Sequence, residues 1–224
     1  VLSLAAGEEG ILWIGTMDGL FVKGAGGPII RPLPITSPVT SLEITGRRII
    51  AGTMTDGIFI VEPKGEDRYR FRNITGNGNV SATLSTGDNL MWASTEQEGL
   101  VWIRKREAGR IDMAGGEVYP ILAAEGSLLA GTGNQGLIRI AEGRRERVAG
   151  REDGISMVRA LYGEGPSRIW IGTRDNGLHL MDRGSINKMS GLPSDNITSI
   201  TRHGGKIWAG TGRGLAALQG SGTG

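Results

Sequence analysis

The sequence lacks cysteine entirely and contains only two histidines in 224 residues. Without cysteine the chain can form neither a disulfide framework nor a cysteine-based metal site, although this absence leaves the cellular compartment open. It also lacks any run of about 18 apolar residues, so we expect no membrane insertion within this chain. The charges nearly cancel, with 25 Lys+Arg against 23 Asp+Glu, and such a balance predicts no polyanionic partner.

Glycine is abundant instead, with 39 residues spread along the chain, and many of them belong to one recurring phrase. Residues 12–20 read LWIGTMDGL, and near copies follow at 49–58, 90–100, 128–137, 169–178 and 207–215. The copies align on Gly15, Gly52, Ser94, Gly131, Gly172 and Gly210. Their spacings of 37, 42, 37, 41 and 38 residues divide the whole chain into six units.

Each unit contains four short segments with the composition of β-strands. Several alternate apolar and polar residues, as in VTSLEI at 39–44, and the turns between them are too short for a helical crossover. A single four-stranded meander of about 40 residues cannot bury its faces alone, whereas units packed face to face form a β-propeller. We therefore predict an all-β propeller of six units in a single domain spanning 1–224. The units cover about 1–38, 39–79, 80–117, 118–157, 158–196 and 197–219, and 220–224 form a flexible tail.

The aligned positions have structural roles in this arrangement. Trp13, Trp92, Trp170 and Trp208 share one position of the second strand, where we expect large side chains to fill the gaps between blades. The Gly-Thr that follows fits a close approach of two backbones. The glycine that opens the third strand fits a hairpin residue with positive φ.

The units also resemble the two-component-regulator propeller repeats of bacterial histidine kinases and related exported proteins. The resemblance rests on the L-W-I-G-T-x-x-G-L phrase and on the connector GLPSDN at 191–196, which precedes an ITSI strand. It is closest in the first, fifth and sixth units and loosest in the third, where MWAST replaces WIGT; GREDGISM at 150–157 matches the connector in part. The resemblance implies an extracytoplasmic or periplasmic sensory region, with a cytoplasmic location left open.

Signals for catalysis, metal or cofactor binding are weak. His179 lies in a third strand and His203 in a first-to-second-strand turn, so they should not converge on one metal. GTGNQG at 131–136 matches a nucleotide-binding fingerprint, but a strand follows where that fingerprint needs a helix. The basic stretches 104–110 and 143–151 include glutamates and no aromatic residue, which favours solvated hairpins over a nucleic-acid surface. We predict no catalytic residue, no metal, no cofactor and no nucleic-acid partner.

The sixth unit departs from the pattern, because only three strands precede GSGTG. An open strand edge is a pairing liability. Three explanations are open: a three-stranded blade, a strand supplied by a partner through exchange or oligomerisation, or a longer or engineered parent protein, and we favour the last.

Loops at one end of the units are the remaining candidate site. In an up-and-down meander the second-to-third-strand turns and the unit-to-unit connectors share an end, where a ring of carboxylates and amides could hold a small polar ligand, a protein partner or a cation. The alternative is that Asp and Asn are simply good turn residues. The turns carry Asp18, Asp56, Glu98, Asn134, Gln135, Asp175, Asn176 and Arg213, and the connectors carry Asn79, Glu117, Asp153 and Asp195.

We predict the first of three functions that are compatible with these features. The first is a non-catalytic sensory or recognition module that binds a ligand or protein through this end. The second is a propeller lyase or hydrolase, which would need a cluster of acidic residues. The third is an architectural or engineered repeat protein. A propeller fold alone does not choose among them.

Overall fold

The computed structural model describes residues 1–64, 68–76, 78–86, 90–104, 107–114, 116–124, 126–165 and 167–219. The chain is all-β and folds as a six-bladed propeller: five blades are four-stranded antiparallel sheets and the sixth is three-stranded, as predicted. Two compact units, Val1–Gly115 and Gly116–Gly224, hold three sheets each. The single domain stays a prediction, and the tail at 220–224 lies outside the described residues.

The first unit contains sheets one to three. Their strands are β1 Ser3–Ala6, β2 Leu12–Thr16, β3 Gly19–Lys23 and β4 Ile29–Ile30; β5 Val39–Thr45, β6 Arg48–Thr53, β7 Ile58–Pro63 and β8 Tyr69–Asn73; β9 Val80–Thr86, β10 Leu90–Thr95, β11 Gly99–Arg104 and β12 Glu107–Ile111. A single 3-10 turn, Glu8–Gly10, joins β1 to β2.

The second unit contains sheets four to six. Their strands are β13 Val118–Ala124, β14 Ser127–Thr132, β15 Leu137–Ala141 and β16 Arg144–Ala149; β17 Val158–Gly163, β18 Arg168–Thr173, β19 Leu178–Asp182 and β20 Ser185–Lys188; β21 Ile197–His203, β22 Lys206–Thr211 and β23 Gly214–Gln219. A 3-10 turn, Arg151–Asp153, lies in the connector before β17. His203 is the last residue of β21 and not part of the turn in which we expected it.

Every sheet is a meander in which consecutive strands pair antiparallel. The core lies along the second strands: β14 and β18 are buried from their second residue onwards. In β18, neighbouring sheets of the same unit cover both faces, so this strand shows a continuous apolar run and not the alternation expected of a half-exposed strand. No helix in the described part of the chain is long and apolar enough to cross a membrane.

Glycine at the aligned second-strand position allows the next sheet to approach. A Cβ at Gly52 would lie 2.6 Å from Cγ1 of Val80, and one at Gly172 would lie 2.5 Å from Cγ2 of Ile197. Both partners are the first residue of the next sheet and are 2% exposed or less. At these two positions the glycine backbone therefore lies directly against the Val or Ile side chain of the next sheet, and a larger residue would require the neighbouring sheet to shift.

The predicted tryptophan packing is confirmed at two of four positions. Trp13 is 3% exposed and packs with residues of the second sheet, and Trp170 is 2% exposed and packs with Ile197 and others of the sixth. Trp92 and Trp208 are only half-buried, and packing between sheets stays a prediction for them.

The sixth sheet has an open edge. Among the described residues β23 pairs only with β22. Leu215, the second residue of β23, is 66% exposed, whereas Leu20, Leu100 and Leu178 at the equivalent position are fully buried. Recruitment of a strand from another molecule at this edge stays a prediction.

Candidate recognition site

The second-to-third-strand turns and the connectors between sheets are joined directly by backbone hydrogen bonds. In the first unit the amide of Met54 donates to the carbonyl of Pro38 at 2.9 Å, and the amide of Gly57 donates to the carbonyl of Gly78 at 3.0 Å. The corresponding donors and acceptors in the second unit are Gly133 and Glu117, Arg174 and Met157, Gly177 and Asp195, and Gly212 and Asn196. Within each unit, therefore, both kinds of loop occupy the same end of the sheets.

A threonine side chain builds each second-to-third-strand turn. The hydroxyl of Thr173 donates to the carbonyl of Gly177 at 2.9 Å and accepts a hydrogen bond from the backbone amide of Asn176 at 3.0 Å. The same pair of bonds recurs at Thr16, Thr53, Thr95, Thr132, Thr173 and Thr211. The glycine that follows has positive φ in all six turns, as predicted. The hydroxyl thus satisfies the turn backbone, and the turn side chains are free to vary.

The candidate residues of the first unit differ in how they are held. Asp18 and Glu98 are exposed, and their side chains make no hydrogen bond or ion pair among the described residues. The Asp56 carboxylate accepts the hydroxyl of Thr55 at 2.9 Å, so it supports its own turn. Asn79 is half-buried and its carbonyl accepts a backbone amide of the adjacent turn at 3.4 Å.

Three candidate residues of the second unit are exposed at the ends of their turns: Asn134, Asp175 and Arg213. Within the described ranges none of these side chains has a hydrogen-bond or ion-pair partner. Gln135 is half-buried, and its backbone amide donates to the hydroxyl of Thr132 at 2.9 Å. The three exposed side chains are thus available to a ligand without loss of a structural contact.

Two connector carboxylates of the second unit have local partners. Asp153 accepts the amide of Gly150 at 3.0 Å and closes the 3-10 turn. Glu117 accepts the hydroxyl of Tyr119. Asp153 is therefore primarily a turn residue, which favours the structural alternative raised by the sequence for this position.

The fifth sheet brings the predicted residues Asn176 and Asp195 together around a lysine. The Asn176 amide nitrogen donates to the carbonyl of Gly154 at 2.7 Å, and its oxygen accepts Nζ of Lys188 at 3.1 Å. The same Nζ lies 3.5 Å from the Asp195 carboxylate. Turn, connector and outer strand are thus tied into one polar cluster. Lys188 was not a candidate in the sequence because it lies on a fourth strand, outside the aligned phrase.

His179 lies beneath this cluster and is 2% exposed. Burial lowers the pKa of its imidazole, and the positive charge of Lys188 lowers it further; the backbone of Gly177 and the Asp195 carboxylate act in the opposite sense. Within the described residues Nδ1 has no hydrogen-bond partner. The other sheets carry Phe21, Phe59, Val101, Ile138 and Ala216 at this position. A neutral imidazole therefore occupies a site built for an apolar side chain.

We expect His179 to make stability depend on pH. Because the folded-state pKa lies below the ordinary value of about 6.5, the unfolded state binds the proton more readily. The stability that neutral His179 contributes is fully present at pH values above the unfolded-state pKa. It is lost as the pH falls below that pKa, at up to about 1.4 kcal/mol per pH unit. His179→Phe, which introduces the side chain that Phe21 and Phe59 carry at this position, should remove this component from the free energy of unfolding measured between pH 7.5 and pH 5. Equal pH dependence in both proteins would contradict the account.

The exposed side chains at this end offer hydrogen-bond donors and acceptors. No group of three or more His, Cys, Asp or Glu side chains that could hold a metal ion occurs in the part of the chain that the structure describes.

Sequence analysis also missed Tyr119 and Arg159, which lie at the same end on the first strands of sheets four and five. Their signal was available in the alignment, since the residue after the buried Val or Ile is Thr or Ser in the second, third and sixth sheets.

No family model and no curated protein matches the sequence. Solved structures do match the fold. The WD40 β-propeller domain of Doa1 has a TM-score of 0.78 at 15% identity over 99% of this chain and 78% of its own. The computationally designed Ika8 protein has a TM-score of 0.76 at 15% identity, covering 97% and 70% of the two chains.

The extracellular domain of the hybrid two-component system BT3049 from B. thetaiotaomicron also matches, with a TM-score of 0.71 at 20% identity. The match covers 97% of this chain and 33% of that domain, so the present chain spans about a third of its length. At these identities the likeness establishes the β-propeller fold alone.

Proposed function

We propose that this chain is a non-catalytic recognition propeller that binds a small polar ligand, or a protein, through the end of its sheets formed by the turns and connectors. The observation that supports the proposal most is that each turn combines a constant backbone with a variable exposed side chain. Threonine and glycine hold the backbone in the same way six times, while the exposed side chain changes from sheet to sheet. Turns with a fixed backbone and variable exposed side chains suit recognition better than a purely architectural role.

The chemistry of the tips suits a ligand rich in hydroxyl or amino groups. Asp175 and Asn134 are exposed hydrogen-bonding groups on adjacent sheets of the second unit, and Arg213 adds a cation on the next. Because the backbone fixes their turns, binding would immobilise only side chains, which lowers its entropic cost.

The proposal extends to sensing outside the cytoplasm. It is supported by the sequence resemblance to two-component-regulator propeller repeats and by the likeness of fold to the extracellular domain of a hybrid two-component system. In this role the propeller holds the ligand and a separate region of the signalling system converts binding into a response.

The test is a thermal-shift screen against neutral oligosaccharides, sugar acids and L-amino acids. We expect at least one class to raise the melting temperature. A triple variant, Asn134→Ala, Asp175→Ala and Arg213→Ala, should unfold at the same temperature as the parent without ligand, because these side chains have no partner in the described part of the chain. Its affinity for the selected probe should fall at least about tenfold, as expected for one lost hydrogen bond to a charged group.

Glu146→Ala is the matched control, since Glu146 is an exposed carboxylate on the outer strand β16 and lies away from the turns. Binding that the triple variant leaves intact would place the ligand elsewhere on the molecule and contradict the proposal. A large loss of stability in the triple variant without ligand would instead assign these side chains to the turns.

A further inference from the structure

Sheets two to six share an irregularity at the start of their first strand. One residue is unpaired directly after the buried Val or Ile, so that the strand carries a β-bulge there. In the fourth sheet Tyr119 and Pro120 together oppose one residue of β14. The bulged residues are Thr40, Ser81, Tyr119, Arg159 and Thr198. A bulge redirects the side chain that it carries, and bulges are frequent next to functional sites.

The bulged residue is a small hydroxyl residue in three of these sheets, and its structural use is visible in the second. The hydroxyl of Thr40 donates to the carbonyl of Gly52 at 3.1 Å and also contacts the carbonyl of Val80 in the next sheet. It therefore links adjacent sheets. Tyr119 and Arg159 are too long for this internal position, so the fourth and fifth sheets depart from the repeat at two neighbouring places.

These two departures meet each other. The guanidinium carbon of Arg159 lies 4.2 Å from the centroid of the Tyr119 ring, which is a cation–π contact. The Tyr119 hydroxyl donates to the carboxylate of Glu117. One aromatic ring therefore holds a guanidinium over its face and a carboxylate at its edge, and all three groups lie at the end of the sheets formed by the turns and connectors.

The adjacent turn leaves this pair uncovered. Gly133 follows the turn threonine of the fourth sheet, and a Cβ there would lie 3.4 Å from Oε2 of Glu117 and 3.5 Å from Cε2 of Tyr119. The same position carries Met17, Met54, Glu96 and Arg174 in the first, second, third and fifth sheets. A side chain at Gly133 would therefore cover the Glu117–Tyr119 pair, and its absence leaves them accessible.

Arg159 is half-buried, and its guanidinium has no ion pair among the described residues. Its planar set of donors matches a carboxylate, which it can bind with two parallel hydrogen bonds. The Glu117 carboxylate has acceptor capacity beyond the Tyr119 hydroxyl and suits a donor next to that carboxylate. We propose that Arg159, Tyr119 and Glu117 form a subsite for a carboxylate-bearing ligand whose neighbouring carbon carries a hydroxyl or an ammonium group. This subsite rests on the recognition role proposed above.

The test uses two pairs of probes that differ only in the carboxylate. D-gluconate and D-sorbitol carry hydroxyl neighbours, and L-alanine and L-alaninol carry an amino neighbour. Saturation-transfer NMR on the full chain should detect gluconate or alanine and give a much weaker signal for its reduced partner. Arg159→Gln should raise the dissociation constant of the bound carboxylate about tenfold or more, because the charge-assisted bonds are lost. Arg144→Gln, an exposed arginine on β16, should leave it unchanged.

Gly133→Met provides a second variant that leaves Arg159 in place. It should weaken binding by covering Glu117 and Tyr119, while the melting temperature without probe stays close to that of the parent. Equal signals from both members of each pair, no signal from either carboxylate, or a dissociation constant unchanged by Arg159→Gln would overturn the subsite. Binding of a carboxylate probe that depends on Asn134, Asp175 and Arg213 but not on Arg159 would overturn the subsite and leave the recognition role standing.

Discussion

Replacement of Trp170 by alanine should lower the free energy of unfolding by about 3 to 5 kcal/mol. The ring is 2% exposed and packs in one apolar cluster with Ile197 and Ile207 of the sixth sheet. Its Nε1 also donates to the Glu164 carboxylate at 2.9 Å. Truncation would open a cavity between two sheets and remove a donor from a carboxylate whose side chain is only 9% exposed. Denaturant unfolding, followed by fluorescence of the other tryptophans, measures the effect.

The Glu164 carboxylate adds polar contacts at Trp170. It lies 3.1 Å from Nε of Arg168 and 3.6 Å from Nε of Arg202 on β21, so the network also joins the fifth and sixth sheets. Trp208→Ala is the matched control, because this half-buried ring occupies the same aligned position and donates only to a backbone carbonyl at 3.2 Å. It should cost clearly less than Trp170→Ala. A loss below about 1 kcal/mol for Trp170→Ala would contradict the packing role.

Replacement of Gly136 by alanine should be the second large effect. Gly136 directly precedes the third strand of the fourth sheet with φ of +80°, a conformation that costs a non-glycine residue about 1 to 2 kcal/mol. The added Cβ would also lie 2.8 Å from the carbonyl oxygen of Ile155 and 3.0 Å from Cα of Gly150. Both are connector backbone, so the connector must move, at a further cost of about 1 to 3 kcal/mol.

Gly143→Ala separates these two costs. Gly143 has φ of +73°, and a Cβ there would meet nothing within 4 Å. Its substitution should show the backbone cost alone and unfold at a higher denaturant concentration than Gly136→Ala. If both variants lose equal stability, the close contact between the turn and the connector does not contribute, and the rigidity claimed for this end of the sheet is lost.

The fold could be predicted from the sequence because the repeat is expressed at positions where one physical requirement dominates. The glycine that opens each third strand must adopt positive φ, and the glycine of the second strand must admit the Val or Ile of the next sheet. Both requirements allow few residue types, so the same residues recur at these positions of the sequence. The tryptophan position is less uniform, because Trp13 and Trp170 are buried whereas Trp92 and Trp208 are only half-buried.

The candidate site could be predicted only in part. Spacing placed the turns and connectors at one end, but it did not separate exposed side chains such as Asp175 from Asn176 and Asp153, which hold the loops together. That distinction depends on hydrogen bonds to Lys188 and to backbone groups distant in sequence. Tyr119 and Arg159 were missed because a bulge, which simple alternation does not reveal, places them next to each other.

Hydrogen exchange of the chain, with and without the probe that gives the largest thermal shift, tests the recognition role most directly. The account predicts slower exchange in the turns 132–136 and 173–177 and in the connectors 150–157 and 189–196. Slower exchange confined to the turns at the other end of the sheets, 142–143, 183–184 and 204–205, would contradict it.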